Sequence, residues 1–377
     1  MLNLASRSSM KDSTSSPVVT AVILSLDGQR YLRSQLLYYA NKPIHLILAD
    51  GSAVDWGNGS SGTIGAMSWE YFRYSGATTY FARLKEACSR VNTKYAFLLD
   101  DEDCTLWTGI TSAIAFLEVG PDYSAAGGGV AYSARSSRRL GLVTSPRYRP
   151  FDLGQREPFD RLSTLLATRK SAHIVYQVLR TEFLTAYATS MQDVPTEIPL
   201  GFAGRSFSWF LALSGKWMSV NSPYSIRRQS PRPSASRELP NQNFTTEVAN
   251  ELSHRVIQAL AELNRHHQKV EHIPTLGDLS EKVGSHYSQF DNRLENASMV
   301  SPGLIAKSLA PLLFDKFPSL YQRLRPNGIQ AISQYVGDMD RQRTSEIILD
   351  LSALERLWNA YPQGLSKVKF ADHLANN

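Results

Sequence analysis

Three short, mostly apolar stretches of this chain each end directly at an acidic residue. They are Val18–Leu26, Ile44–Ala49 and Tyr95–Leu99, followed by Asp27, Asp50 and Asp100. A strand without polar alternation is typical of a sheet that is covered on both faces, which is the usual setting of parallel strands. The three stretches therefore predict the buried strands of an α/β domain.

The segments between these strands carry helical patterns. Tyr31–Tyr39 and Thr79–Val91 place apolar side chains at helical spacing and end at polar residues. Strand, helix and strand with short connections form a right-handed βαβ unit. Because ligands of open α/β sheets bind at the carboxyl ends of the strands, we expect the acids to lie at the ligand-binding edge.

Residues 57–62 read Gly-Asn-Gly-Ser-Ser-Gly, which matches the glycine pattern of a dinucleotide-binding turn. That turn has to follow the first strand directly and open a helix. Here the glycines come about seven residues after the second predicted strand, so we interpret them as a loop.

The 377 residues are enough for two or three domains. We expect a disordered, Ser-rich N-terminus over residues 1–17 and an α/β domain over residues 18–244. A helical C-terminal domain is predicted over residues 245–377, where apolar residues recur at every fourth position from Val248. This helical region could also form the interface of a homo-oligomer.

The sequence predicts neither a membrane span nor a secreted protein. Its apolar runs are far shorter than the 18 or so residues of a membrane helix, and residues 1–17 lack the apolar segment of a secretory signal. Cys88 and Cys104 are too few for a disulfide framework or a structural zinc site. We expect a cytoplasmic protein, either free or at the inner face of the cell membrane.

The net charge of +6 is concentrated in the middle of the chain. Residues 130–240 hold 16 Lys and Arg against 7 Asp and Glu, which is +9, while the segments before and after carry −2 and −1. A local basic segment favours an anionic partner, although a solvated arginine-rich face is the simpler interpretation. Nucleic acid is not expected, because no nucleic-acid-binding motif accompanies the charge.

Four consecutive acids, Asp100 to Asp103, follow the third predicted strand. Adjacent carboxylates raise one another's pKa unless a positive charge lies among them. Asp101 and Asp103 have the D-x-D spacing that can hold a hard cation, Mn²⁺ or Mg²⁺, together with the phosphates of a substrate. An acidic surface turn is the alternative interpretation.

The order of these segments resembles family-2 glycosyltransferases with a GT-A fold, most closely bacterial members that read DGS, then Lys, then T-x-Y, then DDD. The matching residues are Asp50-Gly51-Ser52, Lys85, Thr93-Lys94-Tyr95 and the acidic run, and Tyr176 to Glu182 resembles a further Y-x-x-x-R-T-E segment. The resemblance covers roughly residues 18–230. It implies a GT-A-type sheet flanked by helices and a nucleotide-sugar donor.

The resemblance also implies roles for individual residues. The nucleoside would lie against Ser25, Leu26 and Asp27, with Asp50 at the base or ribose. Lys85 would lie near the phosphates, and Asp100 and Asp101 near the donor. Asp101 and Asp103 would hold the metal, although Asp100 with Glu102 could replace them. The implied activity is a metal-dependent, inverting transfer of a sugar to a hydroxyl of a glycan or a lipid-linked acceptor.

An inverting transferase needs a carboxylate that takes the proton of the acceptor hydroxyl. The place where related proteins are expected to carry a Glu holds Gly204 and Arg205 here, so Asp193 and Glu197 are the candidates. The missing Glu also leaves open a degenerate, non-catalytic domain that acts as a binding scaffold. A sugar nucleotidyltransferase is another alternative, but the loop after the first strand is a poor match to its Gly-rich loop.

The arginines of the basic segment are candidates for contact with an anionic acceptor or with an anionic membrane surface, since Arg suits bidentate recognition of phosphate and carboxylate. They are Arg135, Arg138, Arg139, Arg147 and Arg149.

Overall fold

The computed structural model describes residues 16–26, 29–55, 61–136, 139–144, 152–168, 176–196, 198, 200–228, 245–267, 270, 272–296, 346, 349–351 and 353–354. Most of the predicted N-terminal segment and much of the predicted C-terminal domain lie outside these residues.

Ten strands form one mixed sheet. They are β1 (Val19–Ser25), β2 (Ile44–Asp50), β3 (Ser61–Ile64), β4 (Met67–Arg73), β5 (Tyr95–Asp100), β6 (Cys104–Thr105), β7 (Tyr123–Ser136), β8 (Arg139–Thr144), β9 (Val178–Arg180) and β10 (Lys216–Arg228). The strand order is β3-β4-β2-β1-β5-β9-β7-β10-β6, and β8 pairs with β7.

Eight described helices pack against the sheet or against one another. They are α1 (Gln29–Tyr39), α2 (Tyr80–Ser89), α3 (Trp107–Val119), α4 (Pro158–Thr168), α5 (Thr181–Met191), α6 (Leu200–Ser214), α7 (Thr246–His267) and α8 (Leu276–Asn296).

The parallel strands β2, β1 and β5 are the three that the sequence predicts, and β4 pairs in parallel with β2. Ser25 pairs with Asp50 across β1 and β2, and Leu24 pairs with Asp100 across β1 and β5. The ends of the three strands therefore lie side by side at one edge. The predicted α/β fold class, with a central sheet flanked by helices, is confirmed.

The continuous apolar character of these strands follows from burial on both faces. Within β1, Val22 belongs to a core that includes residues of α2, α5, α6 and α7, whereas Ala21 and Ile23 belong to a second core with residues of α1 and α3. Successive side chains of a strand point to opposite faces, so each face of β1 needs apolar residues. This arrangement fixes which strand ends meet at the edge.

Two strands are not evident from the local sequence. β9 is only three residues long and lies directly before α5. β10 continues to Arg228 through a stretch that contains Ser222, Pro223 and Ser225. β9 is held between β5 and β7 by antiparallel pairing, and β10 lies beside β7. In both cases pairing within the sheet outweighs the local sequence preference.

The helices α7 and α8 lie in the region where the sequence predicts helices. Buried residues of α7, such as Leu252, Val256 and Leu260, share one hydrophobic core with α5, α6 and the sheet. The boundary between residues 244 and 245 stays a prediction. Within the described part of the chain, no helix is long and apolar enough to cross a membrane.

The shared core makes the contribution of α7 measurable. Leu260 is fully buried, so Leu260→Ala should lower the free energy of unfolding by about 2–5 kcal/mol. If α7 unfolds together with the sheet, calorimetry will show one transition shifted to lower temperature. Gln258→Ala, at an exposed position of the same helix, should leave that transition in place. Two transitions, of which only the smaller moves, would instead support a separate C-terminal domain.

Candidate functional site

The acidic run forms a tight turn directly after β5. The backbone N–H of Asp103 donates to the carbonyl of Asp100 at 3.2 Å, which closes the turn. The side-chain amide of Gln35, on α1, donates to the carbonyls of Asp100, Asp101 and Asp103 at 2.7, 3.0 and 2.7 Å. One buried glutamine thus fixes the backbone that presents the four acids.

Asp101 points toward the end of β1. The hydroxyl of Ser25 donates to its carboxylate at 2.9 Å. The pKa of Asp101 is raised to about 7, mainly by burial and in smaller part by the charges of Asp100 and Glu102, while hydrogen bonds from Ser25 and from the backbone of Leu26 oppose the rise. Ser25 and Leu26, which the sequence assigns to the nucleoside, therefore support the acidic turn.

Asp100 and Asp103 share one guanidinium. Arg227, near the end of β10, donates through Nε to Asp103 at 2.8 Å and through a terminal nitrogen to Asp100 at 3.0 Å. Its guanidinium lies over the ring of Tyr176, 4.9 Å from the ring centre. Burial alone would lower the pKa of Arg227, but Asp103, Tyr176 and Asp100 hold it above its ordinary value.

The predicted Asp50-Gly51-Ser52 segment forms a buried turn at the end of β2. The Asp50 carboxylate is fully buried and accepts hydrogen bonds from the Ser52 backbone at 2.9 Å, from the Ser52 hydroxyl, and from the Tyr71 hydroxyl at 2.9 Å. These contacts give Asp50 a role in shaping the edge; its contact with a donor stays a prediction.

Gly51 lies directly against a buried arginine. Arg83, on α2, donates to the carbonyl of Ser25 at 2.7 Å and to the carbonyl of Ala49 at 3.3 Å. A Cβ atom on Gly51 would lie 2.7 Å from the Arg83 guanidinium, so a larger residue would displace it. Burial lowers the pKa of Arg83, while Tyr80, Asp50, Tyr74 and Asp101 support its positive charge.

The other predicted site residues are less central. The amine of Lys85 donates to the side chain of Gln192, just after α5, so it links two helices. Leu26 is 51% exposed at the edge of the sheet. Asp193 is exposed, and its backbone carbonyl accepts a hydrogen bond from Arg255 at 2.9 Å. These positions leave the predicted roles of Lys85, Leu26 and Asp193 untested.

Several predicted residues cannot be placed. Asp27 and Glu197 lie outside the described residues, and so do the side chains of the five arginines proposed for the acceptor: Arg135, Arg138, Arg139, Arg147 and Arg149.

Asp101 and Asp103, the two predicted metal ligands, already have hydrogen-bond partners within the protein. Asp101 is bonded to Ser25, whereas Asp103 is bonded to Arg227, so the two proposed ligands face different partners. Among the described residues, no three Asp, Glu, His or Cys side chains are grouped closely enough to hold a metal ion. Arg227 supplies a positive charge beside Asp100 and Asp103.

The segment that resembles Y-x-x-x-R-T-E runs from the edge formed by the carboxyl ends of the parallel strands to the opposite edge, formed by their amino ends. Its first residue, Tyr176, contacts Arg227 beside the acids. Arg180 instead donates to the carbonyls of Tyr123, Leu117 and Gly120 at 2.6–3.0 Å, at the opposite edge. Only the start of the segment belongs to the candidate site.

A separate cleft lies at that opposite edge, between α5, α7 and the start of β5. Its lining includes Thr93, Lys94, Thr181, His266 and His267. This cleft contains none of the acids at the strand ends.

Sequence reasoning missed Gln35, Arg83 and Arg227. Arg227 belongs to the basic segment and follows the apolar residues Tyr224 and Ile226 at alternate positions, which is a strand signal. That signal was masked by the neighbouring Ser and Pro residues. Gln35 and Arg83 lie within amphipathic helices, and their sequence gives no sign that they reach the strand ends.

No protein-family model matches this chain, and a search of curated proteins finds no similar sequence. Solved structures of similar shape include S. aureus TarS 1–349 with UDP-GlcNAc, at 12% identity and a TM-score of 0.41, covering 66% of this chain and 72% of that chain. The same TarS segment with UDP gives 11% identity and a TM-score of 0.40, with 91% of each chain covered.

A third solved structure of similar shape is the mannosyltransferase PcManGT from Pyrobaculum calidifontis in complex with GDP-Man and Mn²⁺. It is 11% identical, covers 89% of this chain and 87% of that chain, and has a TM-score of 0.36. Identities of 11–12% and TM-scores of 0.36–0.41 assign no function to this chain.

The raised pKa of Asp101 predicts a pH-dependent stability. An unfolded Asp titrates near pH 3.8 and the folded Asp101 near pH 7, so the folded state retains a proton that the unfolded state loses between these values. This group's contribution to stability is complete below pH 3.8 and is lost as the pH rises through about 7. The stability of Asp101→Asn relative to the wild type should therefore rise by about 2–3 kcal/mol between pH 5 and pH 8.

Thermal unfolding at both pH values, in EDTA, measures this difference. Asp122→Asn is the control, because Lys216 lowers the pKa of Asp122 and removal of its charge should bring no gain at pH 8. Equal effects of Asp101→Asn at pH 5 and pH 8 would contradict the account.

Proposed function

We propose that this chain is a glycosyltransferase that takes a sugar from a nucleotide-sugar donor and binds that donor at the carboxyl ends of β1, β2 and β5. The observation that carries the proposal is the meeting of Ser25, Asp50 and the acidic turn at this one edge, with Arg83 and Arg227 among them. The order of Asp50-Gly51-Ser52, Lys85, Thr93-Lys94-Tyr95 and the acidic run along the chain is what resembles family-2 glycosyltransferases with a GT-A fold.

The edge offers the groups that such a donor needs. The nucleoside would lie against the end of β1, near Ser25, Leu26 and Asp27, and beside the turn after β2. The diphosphate is an anion, and next to four carboxylates it requires a positive group. Two groups can meet this requirement: the divalent cation that the sequence predicts at Asp101 and Asp103, and the guanidinium of Arg227.

The proposed reaction is a substitution at the anomeric carbon of the donor sugar. The oxygen of the acceptor hydroxyl forms a bond to this carbon, the bond to the diphosphate oxygen breaks, and its electron pair leaves with the nucleoside diphosphate. A positive group beside the leaving diphosphate stabilises the charge that develops there. The proton of the acceptor hydroxyl passes to a base on the protein.

In the inverting form of the reaction, Asp193 or Glu197 is the base. Asp193 follows α5, which begins beside Lys94 at the start of β5 and ends near Lys85 of α2. The exposed carboxylate of Asp193 is open to an acceptor that approaches from solvent. The +9 segment supports a glycan, lipid-linked or other anionic acceptor, with peripheral contact to the inner face of a membrane. A homo-oligomer formed through the helical region would be compatible with this arrangement.

The proposal is tested by the binding of nucleotide sugars. In a thermal-shift panel of UDP-, GDP- and CDP-sugars, each with Mn²⁺ or with EDTA, we expect one nucleobase to raise the unfolding temperature. A ligand at 100 times its Kd stabilises the folded state by about 2.7 kcal/mol. ADP-sugars and free phosphate serve as controls. If no nucleotide sugar stabilises the chain under either condition, the proposal is wrong.

The base can be identified with two matched variants. Either Asp193→Asn or Glu197→Gln should lower kcat by about 10²- to 10⁴-fold, because the acceptor loses its general base, while the Kd of the donor stays unchanged. Release of nucleoside diphosphate in the presence of acceptor measures kcat, and calorimetry measures the Kd. Full activity in both variants would place the base elsewhere, and no release by the wild type with any acceptor would favour the scaffold alternative.

A further inference from the structure

We infer that Arg227, in place of a divalent cation, balances the acidic turn and binds the diphosphate of the donor. The inference rests on the proposed function and goes beyond it, because it assigns a residue that the sequence did not predict and removes the need for a metal.

Two carboxylates of the acidic turn are already engaged by Arg227. Arg227 donates to Asp103 at 2.8 Å and to Asp100 at 3.0 Å, so one guanidinium bridges the first and last acids of the run. The Asp103 side chain is only 9% exposed, which strengthens the ion pair. A divalent cation that entered the turn through either of these carboxylates would have to displace Arg227.

The guanidinium of Arg227 is held in a fixed orientation. The ring of Tyr176 lies against one face of it, and β10 pairs with β7 on one side and with β6 on the other. A planar guanidinium held by an aromatic ring and two carboxylates has a fixed orientation. A lysine at this position could not reproduce this bridging geometry.

Arg227 also keeps N–H groups that can donate to a ligand. A guanidinium has five N–H groups. Only two of its nitrogens, and so two N–H groups, are engaged in the described contacts with Asp100 and Asp103, and the Arg227 side chain is 22% exposed. The other N–H groups can therefore meet the paired oxygens of a phosphate, which match the fork geometry of arginine.

A second arginine, Arg83, lies at the same edge. Arg83 is 6% exposed and donates to the carbonyls of Ser25 and Ala49, and its Nε atom is buried without a hydrogen-bond partner among the described residues. Arg83 and Arg227 thus flank the acidic turn on the sides of β2 and β10. Together they supply the positive charge that a metal would otherwise bring to this edge.

The wild-type chain provides the most direct test. Isothermal titration with the nucleotide sugar that stabilises the chain in the thermal-shift panel should give the same Kd, within about threefold, in EDTA and in Mn²⁺. Binding that disappears in EDTA would overturn the inference while leaving the proposed function intact. The absence of binding under both conditions would overturn both.

Variants of Arg227 separate a role in binding from a role in folding. Arg227→Met should weaken donor binding in EDTA at least tenfold, and Mn²⁺ should restore part of it, because Asp100 and Asp103 are then available to a cation. Arg227→Lys should bind the donor with an affinity between those of the wild type and of Arg227→Met. Arg265→Met removes an arginine of α7 that pairs with Glu262 and should bind the donor like the wild type.

The recovery with Mn²⁺ is the result that a purely structural role would not produce. A folded Arg227→Met chain that binds the donor as tightly as the wild type in EDTA would overturn the inference. If Arg227→Met does not fold, donor binding by the wild-type chain and by Arg227→Lys, each measured in EDTA and in Mn²⁺, tests the inference instead.

Discussion

Repulsion among four consecutive carboxylates at the end of β5 is the constraint on which the candidate site depends. In an unfolded chain, mutual repulsion would keep these carboxylates apart. In the folded protein they are held in a closed turn. Gln35 fixes the backbone of the turn, Ser25 bonds Asp101, and Arg227 bridges Asp100 and Asp103. These three contacts come from α1, β1 and β10, so the observed geometry of the turn depends on elements that are far apart in the sequence.

The extended sheet is therefore part of the site. β1, β2 and β5 bring their carboxyl ends together because their apolar side chains are buried on both faces. β9 and β7 connect this parallel part to β10, which carries Arg227 to the acids. Gly51 leaves room for the Arg83 guanidinium, which ties the ends of β1 and β2 together. A loss of pairing at β7 or β10 would separate the acids from Arg227 without touching them directly.

The sequence predicted the parallel strands and the position of the acids because both depend on local patterns. A continuous apolar run identifies a buried strand, and the residue that follows it lies at the edge of the sheet. Arg227 was missed because it pairs with Asp103 across 124 positions of the chain, and no local pattern reports such a contact. β9 was missed because three residues carry too little periodicity, and Gln35 because a polar residue in an amphipathic helix is expected to face solvent.

The central claim is that a nucleotide diphosphate binds at the strand ends and contacts the protein's own arginine. A crystal structure of the chain with the nucleoside diphosphate of its donor, grown in EDTA, tests this directly. The account predicts the diphosphate at the carboxyl ends of β1 and β5, with its oxygens within hydrogen-bond distance of the Arg227 guanidinium. A nucleotide found in the cleft between α5 and α7, or one bound only when Mn²⁺ bridges it to Asp101 and Asp103, would contradict the account.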